Sequence, residues 1–165
     1  MRIGREKVVL FATILLFWVL LNGTLALDSL LVGLLASFVI TILYRDGFSP
    51  FTEFRATPAG FWAAGCFLLY FSKELVRSNL KLAAIVLSPS LPINPGIIKV
   101  RTTLKSRMGR LLLANSITLT PGTLTVQLEE EWLYIHWVTV EATDIDSATA
   151  QIVAGYETYL EVMYG

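Results

Sequence analysis

Between Val8 and Tyr44 the chain carries one formal charge, Asp28. That charge divides the stretch into two apolar runs, VVLFATILLFWVLLNGTLAL (8–27) and SLLVGLLASFVITILY (29–44). A helix that spans a bilayer needs roughly 17–25 mostly apolar residues. The first run is long enough. The second reaches the lower limit, with Tyr44 as an interfacial aromatic. Composition agrees: 16% of residues are charged, against about 25% in a soluble domain. The sequence therefore predicts a membrane protein that begins with a transmembrane helical hairpin. Its spans run from about 8 to 27 and from 28 to 44, joined by a polar link from Asn22-Gly23-Thr24 to Asp28. A cleaved signal peptide is the alternative for the first run, with Arg2, Arg5 and Lys7 as its basic end and Thr24-Leu25-Ala26 as a weak cleavage site. The length of the run and the apolar segment directly after it favour a retained helix.

The net charge of zero hides a gradient. All 13 Lys and Arg lie in residues 1–110 beside five acids, whereas residues 111–165 hold eight acids and no Lys or Arg. Lys and Arg concentrate on the cytoplasmic side of membrane proteins. Arg2, Arg5 and Lys7 thus place the N-terminus inside, the Asp28 link outside, and Arg45 and Arg55 inside again.

A third apolar segment, AGFWAAGCFLLYFS (59–72), continues through KELVRSNLKLAAIVL to Leu87. Fourteen residues before the first charge are short for a span. Lys73, Arg77 and Lys81 recur at every fourth position and make one stripe on a helix, with Glu74 placed to pair with Arg77. Such a helix suits the headgroup surface of a bilayer. A full third span whose charged end packs on other subunits is the other reading. The basic residues Lys99, Arg101, Lys105, Arg107 and Arg110 favour the inner leaflet, hence two spans and an interfacial or oblique third helix. Residues 1–87 are then the membrane helices. SPSLPINPG (88–96) is a proline-rich linker that stops the helix, and residues 97–165 form a cytoplasmic domain.

In that domain IIKVRTTL (97–104) alternates like a strand. SRMGRLLLANS (106–116) reads as a helix capped by Ser106, after which Ser116 to Thr120 alternates again. Thr120-Pro121-Gly122-Thr123 has the signature of a type II turn. TLTVQL (123–128) would place Leu124, Val126 and Leu128 on one face, Glu129–Glu131 form a loop, and WLYIHWVTV (132–140) returns as a strand. Asp144 or Asp146 caps a closing helix through Ala148, Ile152, Tyr156, Tyr159 and Met163. The order is β-α-β-β-α, a small α+β domain with helices on one face of the sheet.

Nothing in the sequence assembles catalytic chemistry, a cofactor site or a metal site. Cys66 stands alone in an apolar segment. His136 lies between Ile135 and Trp137 on a strand, where a sheet histidine is the simpler reading than a proton carrier. Adjacent glutamates at a strand end do not converge on a cation. The basic stretch 99–110 lies beside the membrane, so lipid or protein suits it better than nucleic acid. Intramembrane charges mark ion routes, and the two spans have none in their interiors.

NLKLAAIVLSPSLPINPGIIKV (79–100), LANSITLTPGTLTV (113–126) and LYIHW (133–137) resemble the E subunit of the multisubunit Mrp/Mnh-type monovalent cation/proton antiporters. The resemblance implies a subunit of a bacterial inner-membrane complex that exchanges Na⁺, or K⁺, for H⁺. Its large subunits, similar to the antiporter-like subunits of respiratory complex I, hold the ion routes. Other subunits of the complex and membrane lipids are the implied partners, and there is no catalytic motif to carry over. The run Asn115, Ser116, Thr118, Thr120, Pro121, Gly122 and Thr123 is the expected structural motif. Its hydroxyls and amide would hydrogen-bond around the Pro-Gly turn and fix the domain against the helices, or would contact another subunit. A membrane-anchored adaptor for a soluble cytoplasmic partner is the alternative function. A lipid-modifying enzyme would need a convergent nucleophile, acid or metal set.

Overall fold

The structure, a computed structural model, describes residues 2–44, 53–142 and 144–165. Arg45 lies outside the described residues. The chain forms two compact units, Met1–Phe54 and Arg55–Gly165.

The first unit is a helical hairpin of α1 (Arg2–Asn22) and α2 (Leu27–Leu43). Gly23 closes α1 in the left-handed region, φ 63°, with its N–H on Val19 O at 3.0 Å. That conformation suits glycine. The Trp18 indole N–H donates to Ser29 O at 3.0 Å and ties the two helices together. Its ring lies so close to Gly33 that a Cβ there would stand 2.4 Å from Trp18 Cδ1. Along α2 the buried positions are Gly33, Ser37 and Thr41, while Leu16, Phe17, Leu20, Leu31 and Leu35 are exposed. Small and polar residues thus line the seam and large apolar ones face outward. Among the described residues no helix is long and apolar enough to cross a membrane. Helix α2 has 17 residues, and the side chains of residues 2–6 in α1 are outside the described part. Asp28 sits in the first turn of α2, where an acid complements the helix dipole.

The second unit begins with α3 (Pro58–Leu87), 30 residues and about 45 Å long at 1.5 Å per residue. Thr57 caps it by accepting from Gly60 N at 3.1 Å, and Pro58 occupies the first turn, where its missing N–H costs nothing. There follow β1 (Gly96–Arg101), α4 (Arg107–Leu119), β2 (Thr123–Glu129), β3 (Trp132–Trp137), α5 (Ile145–Ile152) and α6 (Ala154–Tyr164). The sheet is antiparallel in the order β1-β3-β2. Leu133 and Ile135 of the central strand, with Val100 of β1, are fully buried against Leu113, Ile117, Val153 and Leu160 of the helical layer. This is the α+β domain with helices on one face. Ser106 and Asp144 cap α4 and α5 as expected, accepting from Gly109 N and Ser147 N, each at 2.9 Å.

Four features differ from the sequence expectations. Residues 116–119, which alternate like a strand, continue α4. Ser116 and Thr120 return their hydroxyls to Leu112 O and Ser116 O one turn back, and Ile117 is buried one helical turn after Leu113. The three apolar residues of β2 do not share a face. The register slips between Thr125 and Gln127, so Leu124 stands opposite His136 but Leu128 opposite Leu133, as a bulge at Val126 requires. The closing helix breaks at Val153, whose carbonyl accepts from both Tyr156 N and Glu157 N at 3.1 and 3.0 Å, giving β-α-β-β-α-α. Last, the compact units divide between Phe54 and Arg55, so α3 packs with the sheet domain, mainly on α6. The proline-rich stretch 88–96 lies inside that unit, where Asn94 exchanges backbone bonds with Val138 and Val140.

Candidate functional site

The expected motif lies where α4 turns into β2, beside α3. The Thr120–Thr123 turn closes with Thr123 N on Thr120 O at 3.2 Å, and Gly122 adopts φ 96°, the left-handed position that a type II turn reserves for glycine. The Thr123 hydroxyl donates to Ile117 O at 2.7 Å. Thr118 Oγ1 accepts from Thr125 N at 3.1 Å, and Gly122 O accepts from Val138 N at 2.9 Å. The hydroxyls of Thr118 and Thr123 therefore bind strand and turn to the helix, while those of Ser116 and Thr120 bond back one turn along α4, as short polar side chains do locally. Asn115 is exposed on α4 and joins none of these bonds.

The turn forms one wall of an open cleft of about 350 Å³ whose opposite wall is α3. Tyr70, Glu74, Arg77 and Lys81 project into it from α3, with Glu141 and Tyr156 across from them. Thr120 reaches the cleft floor, its hydroxyl 2.9 Å from Tyr156 OH. Because the Thr120 proton is already committed to Ser116 O, the phenol is the donor. Tyr156 packs edge-on against Tyr70, with ring centres 5.1 Å apart, and Tyr70 also meets Tyr159 at 5.6 Å. Burial pushes the Tyr156 phenol above its ordinary pKa, and the Glu74 carboxylate adds to the shift. Two of the three residues in the basic stripe of α3 pair with carboxylates: Lys81 with Glu141 across the cleft, and Arg77 with Glu74 at 3.8 Å.

The tyrosines were not legible as a site, because Tyr156 and Tyr159 read only as the apolar face of a helix and Tyr70 as part of an apolar segment. Their one signal is the spacing of tyrosines at 156 and 159. His136 sits on the sheet face away from the helices, opposite Ile97 and Leu124. Glu129 ends β2, and Glu130 and Glu131 make the hairpin turn. Glu131 faces Arg101 at 3.6 Å. Among the described residues no cluster of His, Cys, Asp or Glu is placed to hold a metal. The charged groups of the cleft pair with one another, Lys81 with Glu141 and Arg77 with Glu74.

A family profile described as "Na+/H+ ion antiporter subunit" matches residues 11–163. The chain is 34% identical to the E subunit of the Na⁺/H⁺ antiporter of Alkalihalophilus pseudofirmus, over 81% of this chain and 84% of that one. It is 28% identical to the E1 subunit of the Na⁺/H⁺ antiporter of Staphylococcus haemolyticus, over 79% and 80%. A chain in the structure of the membrane-bound sulfane sulfur reductase, an archaeal respiratory membrane complex, shares 31% identity and superimposes with a TM-score of 0.79 over 95% of this chain and 98% of that one. With a family profile spanning both compact units, the chain belongs to the E subunits of Mrp/Mnh-type Na⁺/H⁺ antiporters, membrane transport complexes of several subunits.

Proposed function

We propose that this chain is an accessory subunit that braces the antiporter complex in the bacterial inner membrane and does not itself carry the ion path. The observation that carries this reading is the joint between α3 and the sheet domain. The Tyr70–Tyr156–Tyr159 cluster and the Lys81–Glu141 pair hold a long, outwardly apolar helix rigidly against a polar lobe. A rigid joint of that kind transmits position between a membrane and companion subunits. An ion path needs ionisable groups within the membrane, and between Val8 and Tyr44 the sequence offers one charge, Asp28, at the link.

In this reading α1 and α2 cross the bilayer as a hairpin, with partner helices and lipid around their apolar exterior. Arg2, Arg5 and Lys7 keep the N-terminus cytoplasmic. Helix α3 lies at the cytoplasmic headgroup surface. Trp62, Leu69, Val76 and Leu80 are exposed on the side away from the lobe and sink into the interface, while Lys73 reaches headgroup phosphates. The lobe is cytoplasmic, and companion subunits exchange Na⁺ or K⁺ for H⁺.

Deleting this chain while purifying the complex through a tag on a companion subunit tests the reading. Companion subunits are expected to separate from one another. A complex recovered whole, in normal yield, would overturn the bracing role.

A further inference from the structure

Glu74 is the carboxylate of the cleft that no hydrogen bond holds. Its side chain is 20% exposed, and its ion pair with Arg77 is 3.8 Å long, beyond the roughly 2.7–2.9 Å of a charge-assisted hydrogen bond. A carboxylate so far buried ordinarily has a donor. Donors in the same cleft are unspent. Among the described residues the Arg77 guanidinium, the Tyr70 hydroxyl and the Trp137 indole N–H make no hydrogen bond. Lys81 has three N–H donors and gives one to Glu141. A recess of about 40 Å³ shares Ser78, Lys81, Pro121 and Trp137 with the cleft, and it is also lined by Thr139, whose buried hydroxyl has no partner. The cleft therefore holds two positive and two negative groups, with bonding capacity of both kinds left over. A simple anion entering it would meet two carboxylates, and a simple cation two bases. A molecule that bears both charges meets each group with its complement.

We propose that this cleft binds a phosphate diester carrying a primary ammonium on a two-carbon arm, the chemistry of an aminoethyl phosphate headgroup. The ammonium donates to Glu74 beside the rings of Tyr70 and Tyr156, a setting that favours a cation. The phosphate accepts from Arg77 and from the spare donors of Lys81. These three residues follow one another along one side of α3, with rises of about 4.5 Å and about 6 Å between them. A two-carbon arm suits that spacing, whereas an α-amino acid carries both of its charges on one carbon. The cleft, at about 350 Å³, is within the range of small-molecule sites. The headgroup chemistry rests on the cleft alone. Only a lipid as its source rests on the placement of α3 at the headgroup surface.

Native mass spectrometry of the full chain, purified in detergent and given an equimolar mixture of phosphatidylethanolamine, phosphatidylcholine and phosphatidylglycerol, tests the proposal. Phosphatidylethanolamine is expected to be retained about tenfold over the other two, because the trimethylated amine of one has no N–H for Glu74 and the other has no ammonium. Glu74→Gln is expected to abolish the preference. Arg77→Gln, at a side chain 74% exposed and thus harmless to folding, is expected to lower phosphatidylethanolamine retention by a similar factor. Equal retention of the three lipids, a preference that survives Glu74→Gln, or retention indifferent to Arg77→Gln would each overturn the site. Glycerophosphoethanolamine, the same headgroup without acyl chains, separates the sources. Retention of the lipid alone assigns the site to the membrane. Retention of the soluble ester in place of the lipid, lost in the same two variants, keeps the site and rejects the placement of α3. A chain that retains neither, while its deletion still parts the companion subunits, rejects the site and leaves the bracing role standing.

Discussion

Gly155 of α6 lies directly beneath the phenol of Tyr70 in α3: a Cβ at position 155 would stand 1.9 Å from Tyr70 OH and 2.5 Å from Cζ. The ring has little room to retreat, because it is held between Tyr156 and Tyr159. The absence of a side chain at 155 is thus what lets α3 approach the lobe. Gly155→Ala is expected to destabilise the second unit by about 1–3 kcal/mol through overpacking, seen as a lower melting temperature of the purified chain in detergent. Because the two residues touch, their effects couple. Tyr70→Ala combined with Gly155→Ala should cost less than the sum of the single changes, and strict additivity would refute the contact.

The phenol of Tyr156 makes the same joint sensitive to alkali. Its folded pKa is raised, chiefly by burial, so the folded state prefers the neutral phenol. The associated stability is fully present below the unfolded value of about 10 and is lost as pH rises from there through the raised folded value. Tyr156→Phe is expected to lower stability by about 0.5–1.5 kcal/mol at neutral pH, the worth of the bond to Thr120. It should also flatten the decline above pH 10 in thermal melts. A variant whose melting temperature falls with alkali as steeply as the parent's would show that another group governs the decline.

At the opposite end of the pH scale Asp144 is the group to watch. Ser147 hydrogen bonds, from side chain and backbone, hold its carboxyl below the usual carboxylate range. The contribution is present above the unfolded value and is lost as pH falls through the depressed folded one. Asp144→Ala should lower the melting temperature at pH 7 and leave it nearly unchanged where the parent's carboxyl is protonated. Asp144→Asn, which still caps, should lose less at pH 7. Equal losses for Ala at both pH values would remove the cap from the account.

The Pro-Gly turn supports both the sheet and the cleft. With φ at 96° for Gly122, an alanine there is strained by about 1–3 kcal/mol, and replacing Pro121 loosens the unfolded chain by a further amount of about 0.4–1 kcal/mol. Pro121-Gly122→Ala-Ala is expected to reduce the yield of assembled complex. Asn115→Ala, at the exposed motif position that makes no side-chain bond among the described residues, should leave the stability of the chain itself unchanged. If Asn115→Ala lowers the yield of complex without moving the melting temperature, then Asn115 contacts a companion subunit.

Much of this fold was legible where one physical signal acted without competition. The apolar run from Ala59 and its continuation to Leu87 mark α3, Ser106 and Asp144 mark helix starts through their caps, and Thr120-Pro121-Gly122-Thr123 dictates its turn. The signal failed where two periods overlapped or tertiary packing decided. Ser-Ile-Thr-Leu at 116–119 alternates like a strand, yet burial of Ile117 and the back-bonding hydroxyls keep it helical. The bulge at Val126 leaves no local trace, since it is set by pairing with β3. The site was legible only in its backbone. The turn could be named from residues 120–123, but its partners Tyr70 and Tyr156 lie 86 positions apart and meet only because Gly155 admits the ring.

The division of labour proposed for this family member makes one prediction about transport itself. A chain that carried cations would need ligands in the membrane. The hairpin seam offers Ser37 and Thr41, and the Thr41 hydroxyl is committed to Ser37 O at 2.7 Å. In the second unit the cleft carboxylates Glu74 and Glu141 are opposed by Arg77 and Lys81, so a cation entering there would have to displace a tethered one. Purified alone and reconstituted in liposomes, the chain should leave an imposed Na⁺ or K⁺ gradient and a pH gradient intact, as read by ion-sensitive and pH-sensitive dyes. The complex reconstituted with it should dissipate both together. Brisk cation-for-proton exchange by the isolated chain would place the ion path in this chain and reverse the assignment.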